Sequence, residues 1–483
     1  MIPLTLAEVA HAVGGSTHDI PDTGVRVTGP VVLDSRAVEP GALFVAFAGE
    51  RADGHDFAAG AVADGAVAVL AARPVGVPAI VVDDVQAALG RLARHVIERL
   101  GTAVVALTGS AGKTSTKDLL AQLLERLAPT VWTPGSFNNE IGLPLTALRA
   151  DPGTRHLVLE MGARSIGHIR YLTGLTPPRI GLVLNVGTAH IGEFGGREQI
   201  AQAKGELVEA LPAAAEGGVA VLNADDPLVR AMAARTKAKV VFFGESEEAE
   251  VRAENVRLND RGQPVFGLRT PSGCAEVTLR LYGEHHVSNA LAAAAVAREL
   301  GMPVEEIASA LCAAGSLSHW RMEVTERPDG VTVVNDAYNA NPESMRAALR
   351  ALAAMGRSAK ARGGRTWAVL GQMAELGEQS LTEHDAVGRL AVRLNVSKLV
   401  AVGGTEAAWL QMGAYNEGSW GEESVHVSDA VAAIELLRSE VRPGDVVLVK
   451  ASRSVGLESV ALALIEAGGP GAAGGTAREG AAR

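Results

Sequence analysis

Short apolar runs broken by turns fill the first hundred residues. Val31-Val32-Leu33 and Leu43-Phe44-Val45-Ala46-Phe47 read as strands, the second launched from the turn Glu39-Pro40-Gly41. Residues 67–70 and 79–82 read as two more, and 87–100 has helical apolar spacing. From Thr102 onward, strands alternate with helices, the pattern of a mostly parallel sheet. The strands are expected at 103–107, 157–159, 180–186, 219–222 and 240–243, with helices at 115–127 and 200–211. Residues 267–283 read as β-rich material ahead of an Ala-rich helix at 288–300. A third α/β unit opens near Gly315, with strands at 331–334, 367–370, 399–402 and 446–449. The predicted organisation is α/β in three domains, 1–98, 99–314 and 315–467. Residues 468–483, rich in Gly and Ala without apolar periodicity, read as a disordered tail.

The length of 483 residues suits about three domains. Forty-four Lys plus Arg against 55 Asp plus Glu give a formal charge of −11, which argues against a general nucleic-acid binder. Two cysteines, Cys274 and Cys312, exclude a disulfide framework and a Cys-rich zinc site. The first fifteen residues carry Glu8 and no basic stretch before an apolar one, unlike a signal peptide. No window approaches roughly 18 uncharged apolar residues, so no membrane span is expected. A soluble, cytoplasmic, monomeric protein is the expectation.

The chemistry begins at Thr108-Gly109-Ser110-Ala111-Gly112-Lys113-Thr114, between an apolar strand and a helix with apolar residues at 119, 120, 123, 124 and 127. In that setting glycines let backbone N–H groups curl around a polyphosphate at a helix N-terminus. Lys113 is placed to reach the β- and γ-phosphates and the Thr114 hydroxyl to sit on Mg²⁺. Position 107 is Leu, so the standard G-x-x-x-x-G-K-[ST] spacing is not met and the loop is a shortened variant. ATP or GTP is the expected ligand. Glu160 follows the apolar run 157–159, and ligands gather at the carboxyl ends of strands in open α/β sheets. It therefore reads either as a Mg²⁺ ligand or as a strand-end acid paired with an arginine. His190 could join it at the same sheet edge or serve as a hydrogen-bonded structural residue. Lys204 by itself reads as a solvated helix lysine.

Together these pieces resemble the Mur ligase family through almost the whole chain. The motifs that carry the likeness begin with Asp34-Ser35-Arg36, Asp53-Gly54-His55, the loop 108–114, and Asn138-Asn139-Glu140-Ile141-Gly142-Leu143-Pro144. Glu160-Met161-Gly162-Ala163, His190, Ala203-Lys204-Gly205-Glu206 and Asn223-Ala224-Asp225 follow. Gly283-x-His285-x-x-x-Asn289, Arg321-Met322 and Asp336-Ala337-Tyr338-Asn339-Ala340-Asn341-Pro342 complete the set.

The resemblance implies a small α/β UDP-binding N-terminal domain, a central P-loop ATPase-like domain and a C-terminal Rossmann-like domain. It implies ATP-dependent addition of D-alanyl-D-alanine to UDP-N-acetylmuramoyl-tripeptide through an acyl phosphate, with Mg²⁺, in peptidoglycan precursor synthesis. On this likeness Thr108, Gly109, Ser110, Ala111, Gly112, Lys113 and Thr114 bind ATP, joined by Asn289 near adenine, Asp336 near ribose, and Asn339. Lys113, His190, Lys204 and Arg321 are the implied catalytic set, with Arg321 contacting the γ-phosphate once the C-terminal domain closes. Thr114, Glu160, His190 and a carbamylated Lys204 are the implied metal ligands. Ser35, Arg36, Asp53 and His55 are implied at the UDP end of the substrate, and Asn138 and Asn139 near the sugar and phosphates. Lys450 and Ser452 are placed where peptide or dipeptide is sensed. Asp34 reads equally as a turn cap. Gln372 stands where the family usually has Asp, and Ser136 where it often has Asn.

The rival within the family is the branch that adds one diamino acid to a UDP-muramoyl-dipeptide. No Asp-Asn-Pro-Arg segment of that branch occurs here. The N-terminal Asp34-Ser35-Arg36 unit disfavours a folylpolyglutamate synthetase. A non-catalytic nucleotide switch needs Lys113 but not Glu160, Lys204 and Arg321 together.

Overall fold

A computed structural model describes residues 1–49, 52–188 and 191–467. His190 and the predicted tail 468–483 lie outside the described residues.

The central sheet has nine strands, and Ala103–Thr108 is the third from one edge, between Ile180–Val183 and His156–Glu160. Thr130–Trp132 closes one edge; Val219–Asn223, Lys239–Gly244 and Val251–Leu258 extend the other in parallel. An antiparallel meander of Val251–Leu258, Pro264–Thr270 and Gly273–Thr278 completes it. Both faces of this sheet are covered, so its strands are apolar without alternation. Val104, Ala106, Leu157 and Leu159 pack into the core shared with the N-terminal residues and the helix Val85–Leu100. Val105, Leu107 and Val158 face the opposite core, formed with Lys113–Leu127 and the Ala-rich helix His286–Glu299.

A five-stranded sheet runs in the order Ser16–His18, Ala79–Val81, Ala68–Ala71, Leu43–Val45, Val31–Val32, and a separate ribbon pairs Leu4–Thr5 with Arg26–Val27. The six-stranded C-terminal sheet orders Glu323–Glu326, Thr332–Asn335, Val446–Lys450, Thr366–Leu370, Lys398–Val402 and Ser424–Val427. All its pairs are parallel except the first.

Two differences from the sequence expectation have physical causes. The strand expected at 180–186 stops at Val183. Beyond it the Asn185 carbonyl accepts from Ser110 N–H, so the chain turns along the phosphate loop instead of extending the ladder. Val251–Leu258 was not expected as a strand, because Asn255 sits at φ +55° in a register shift between Glu254 and Arg257. Such a bulge interrupts the period-two pattern by which a half-buried strand is read.

In the C-terminal domain, Ser380–Arg393 and Thr405–Asn416 pack through glycines. A Cβ on Gly388 would lie 1.9 Å from the Leu410 carbonyl oxygen, and one on Gly413 2.1 Å from that of Asp385. Gly388→Ala is expected to destabilise the protein by about 1–3 kcal/mol, read as a lowered denaturant midpoint. An unchanged midpoint would mean the helices part at no cost.

Candidate active site

The phosphate loop leaves the carboxyl end of Ala103–Thr108 and enters the helix Lys113–Leu127 through Gly112, whose φ is +81°. That left-handed conformation suits glycine. A Cβ on it would also stand 2.5 Å from Asn289 Oδ1, so loop and Ala-rich helix touch there. Asn185 fixes the loop from the neighbouring strand end. Its Oδ1 accepts from Ser110 N–H (3.0 Å) and Ala111 N–H (2.9 Å), and its Nδ2 donates to the Ala111 carbonyl (3.1 Å). Lys113 Nζ donates to the Gly109 carbonyl at 2.8 Å. Thr108 is fully buried and spends its hydroxyl on the Met161 carbonyl at 2.9 Å, so it shapes the loop from beneath.

Glu160 ends the adjacent strand, buried, and accepts from Thr114 Oγ1 (2.9 Å) and Asn138 Nδ2 (2.7 Å). Among the described residues it has no arginine ion pair, and its carboxylate is engaged by these two side chains. Arg321 arrives from beyond the central sheet and donates through Nη2 towards Thr114 Oγ1 (3.4 Å) and Ser136 Oγ (3.5 Å), with its guanidinium over the Tyr338 ring at 4.3 Å. Its Nε is buried and has no hydrogen-bond partner among the described residues.

Lys204, on the helix Arg197–Glu209, is buried and makes no hydrogen bond or ion pair among the described residues. Burial first, and then the Lys113 charge, push its ammonium well below the usual lysine range. Burial likewise lowers Lys113, with Glu160 opposing and Arg321 assisting that shift. The neighbouring Glu206 caps the helix His168–Leu175, accepting from Gly167 and Arg170 N–H groups.

Two cavities meet at the loop. One, of about 640 Å³, is lined by Lys113, Thr114, Asn138, Glu160, Lys204 and Arg321, with Asn139, Asn339 and Ser452 also on its wall. The other, of about 620 Å³, is lined by Asn289, His285, His286, Asp336, Arg346 and Lys450. Ala111, Gly112 and Arg321 face both. Burial lowers His285 to about 4, and burial and the neighbouring His285 also lower His286, whose ring lies 4.2 Å away, so both favour the neutral form near pH 7. Among the described residues no cluster of three His, Cys, Asp or Glu side chains is arranged for a metal.

Some expected placements differ. Lys450 does not face the cavity of Glu160, where a peptide-sensing residue was expected. It is buried against Asp336 (Nζ to Oδ2, 2.6 Å) and also donates to the Asn339 carbonyl (2.9 Å), because its strand end lies beside that of Asp336. Ser452, by contrast, does reach the larger cavity, although its hydroxyl is engaged by Ala374 N–H at 2.8 Å. Ser35, Arg36, Asp53 and His55 line neither cavity. Asp34 caps the turn Ser35–Ala37 and pairs with the exposed Arg36. His55 is buried with both ring nitrogens used: Nε2 accepts from Ala72 N–H (3.0 Å), so Nδ1 carries the proton donated to Asp53 (2.5 Å). Asn139 caps the helix Gly142–Ala147, accepting from Gly142 N–H. The residue that sequence reasoning missed is Asn185, a polar residue directly after an apolar run beside the loop strand.

A phosphate loop on a parallel sheet, a strand-end carboxylate and an arginine brought from another sheet define a nucleotide-using α/β enzyme assembled between domains. The Mur ligase middle domain matches residues 107–297, the Mur ligase glutamate ligase domain 320–453, and the Mur ligase family catalytic domain 30–96. The UDP-N-acetylmuramoyl-tripeptide–D-alanyl-D-alanine ligase of Mycobacterium leprae (strain TN) is 52% identical, over 96% of this chain and 99% of that protein. The crystal structure of MurF from Acinetobacter baumannii superposes with a TM-score of 0.85 at 33% identity, covering 96% of this chain and 99% of that one. MurF ligase from Thermotoga maritima in complex with ADP gives 0.78 at 33% identity, covering 91% and 97%. The chain belongs to the Mur ligase family.

Gly112→Ala should weaken ATP binding at least about tenfold, because a left-handed residue costs roughly 1–2 kcal/mol and its Cβ meets Asn289. Calorimetric titration with ATP checks this; wild-type affinity would show that the pinch at Gly112 is irrelevant to the nucleotide.

Proposed function

We propose that this chain uses ATP to join the amine of D-alanyl-D-alanine to the terminal carboxylate of UDP-N-acetylmuramoyl-tripeptide. The observation that carries the reading is the convergence of Lys113, Glu160, Lys204 and Arg321 on one cavity, from separate elements of two sheets. The relatives named for this reaction, aligned end to end with the chain, support the choice of substrates.

The tripeptide carboxylate is a poor electrophile, and transfer of the γ-phosphoryl group to it creates a leaving group. The dipeptide amine then attacks the acyl phosphate, and phosphate departs from the tetrahedral intermediate. Lys113 and the loop N–H groups hold the transferring phosphates, and Arg321 adds charge where the transition state develops it. Thr114 and Glu160 offer hard oxygen donors 2.9 Å apart, a donor set that fits Mg²⁺. A Mg²⁺ bound there supplies positive charge that shields an anionic nucleophile from an anionic phosphate. Asn138 steers Glu160 by donating to its second oxygen. The nucleoside belongs in the second cavity, with Asn289 and Asp336. A loop pinched at Gly112 then lets the phosphates reach the first.

Lys204 fits carbamylation. Burial and the Lys113 charge favour its neutral amine, the form that adds CO₂ with loss of a proton, and the resulting carbamate would be an oxygen ligand facing Lys113. ATP and a nucleotide-linked substrate are cytoplasmic pools, which is where we place the reaction, carried out by a monomer. No described helix is long and apolar enough to cross a membrane.

The direct test is phosphate release from ATP with UDP-muramoyl-tripeptide, assayed with D-Ala-D-Ala and separately with diaminopimelate, lysine or D-alanine. Release with the dipeptide alone, giving a pentapeptide product and vanishing in Lys113→Ala, is expected. Release with a single diamino acid and a UDP-muramoyl-dipeptide acceptor would move the chain to the other branch. No acceptor-dependent release would remove the ligase reading. A second test concerns carbamylation: Lys204→Ala should lose most activity and regain part of it in short-chain carboxylates such as acetate. An unmodified Lys204 in the intact mass of fully active enzyme would contradict that role.

A further inference from the structure

One turn beyond Thr114, the phosphate-loop helix carries a second charged pair that the chemistry above does not use. Lys117 and Asp118 are side by side (2.9 Å), with side chains 1% and 3% exposed. Burying an ion pair stabilises little in itself unless the remaining hydrogen-bonding capacity is filled. Here that capacity is spent on two chain segments that border the active site. Lys117 Nζ donates to the carbonyls of Thr133 (2.8 Å) and Gly135 (3.1 Å), at the base of the loop that presents Ser136 and Asn138. Asp118 Oδ2 accepts from the N–H groups of Leu317 (3.2 Å) and Ser318 (2.9 Å), and its Oδ1 accepts from Ser318 Oγ (3.0 Å). Gln122, one turn further along, holds Gly315 through both its backbone groups. The linker into the C-terminal sheet is thus suspended from the same helix that begins with Lys113 and Thr114.

Arg321 is three residues past Ser318, a span of at most about 10 Å of extended chain. It is flanked by two non-glycine residues in the left-handed region, Trp320 at φ +59° and Met322 at φ +48°. Such conformations are disfavoured for side chains bearing a Cβ and persist only when their surroundings fix them. The C-terminal sheet does so. Tyr338 N–H donates to the Trp320 carbonyl, and Met322 N–H donates to Asp336 Oδ1. Upstream, the anchor is Asp118; downstream, it is the strand bearing Asp336. Only His319 separates the two.

We propose that the Lys117–Asp118 pair is the positioning element for Arg321, tying the linker and the loop 133–135 to one helix turn so that the guanidinium sits between Thr114 and Ser136. The inference rests on the phosphoryl-transfer reading of Arg321. Asp118 touches no substrate in this account and acts through the linker.

Asp118→Asn and Ser318→Ala test it. Misplacing a reacting group by about 1 Å can cost on the order of a hundredfold. Asp118→Asn is therefore expected to lower kcat at least about tenfold while KM for ATP and the ADP affinity stay within about twofold. Ser318→Ala should lower kcat less, in the same pattern, and it serves alone where Asp118→Asn does not fold. In an Arg321→Ala background Asp118→Asn should cost almost nothing further, since the residue it positions is gone. Unchanged kcat, a loss shared equally between kcat and KM, or full additivity with Arg321→Ala would overturn the proposal. Absence of acceptor-dependent phosphate release in the unsubstituted protein would instead defeat the ligase reading, so the two failures are distinguishable.

Discussion

A polyanion must be met by positive charge held away from water, and that requirement organises the space around residues 109–114. Lys113, Lys204 and Arg321 crowd one cavity with Glu160 as the buried carboxylate. At an effective dielectric near 20, like charges roughly 4 Å apart repel by about 4 kcal/mol. An arrangement of this kind is tenable only if its cations are partly neutralised or its cavity receives negative charge. The depressed lysines answer the first condition. Phosphate oxygens, and the carbamate proposed for Lys204, would answer the second. The fold supplies what the charges cannot supply themselves, a rigid frame in which the loop strand lies between the strand of Glu160 and the strand that leads to Asn185.

That frame is complete only when two sheets are brought together. Thr114 and Glu160 belong to the central sheet and Arg321 to the chain leading into the next. Several contacts across the gap are polar: Thr188 with Glu343, Asn341 with the Ser110 carbonyl, Arg321 with Thr114 and Ser136. Tyr282 adds an apolar contact to the C-terminal core, and a largely polar boundary of this kind is usual between domains of one chain. The apolar cores are accordingly local to each sheet, with one face of the central sheet shared only with the N-terminal residues.

Many strands and the phosphate loop were legible in the sequence because parallel strands buried on both faces are continuous apolar runs. Val251–Leu258 escaped because its bulge at Asn255 breaks the alternation, and Thr130–Trp132 because three residues carry too little period. Within the site, Lys113, Thr114 and Glu160 could be placed from strand ends alone. Lys204 could not, since a lysine on a helix looks the same whether it faces water or a buried cavity. Resemblance pointed to it, and the burial of its side chain gives the physical basis. Asn185 had no local mark beyond its position after an apolar run, and Lys450, expected where peptide or dipeptide is sensed, lies instead against Asp336 in the second cavity. Which side of a sheet edge a strand-end residue faces depends on its neighbour, here Asp336, and a neighbour in space is invisible along the chain.

The N-terminal motif shows why residue type alone does not separate a ligand from a cap. Asp34 and Asp53 each accept from the N–H two residues on, in the same turn geometry. His55 has no free nitrogen to offer, since one accepts from Ala72 and the other donates to Asp53. Arg36 differs in that its guanidinium, though paired with Asp34, is exposed on the surface. An exposed Asp–Arg pair contributes little to stability, so its cost of rearrangement is small. In this motif the buried histidine therefore builds the loop, and the arginine keeps its guanidinium at the surface.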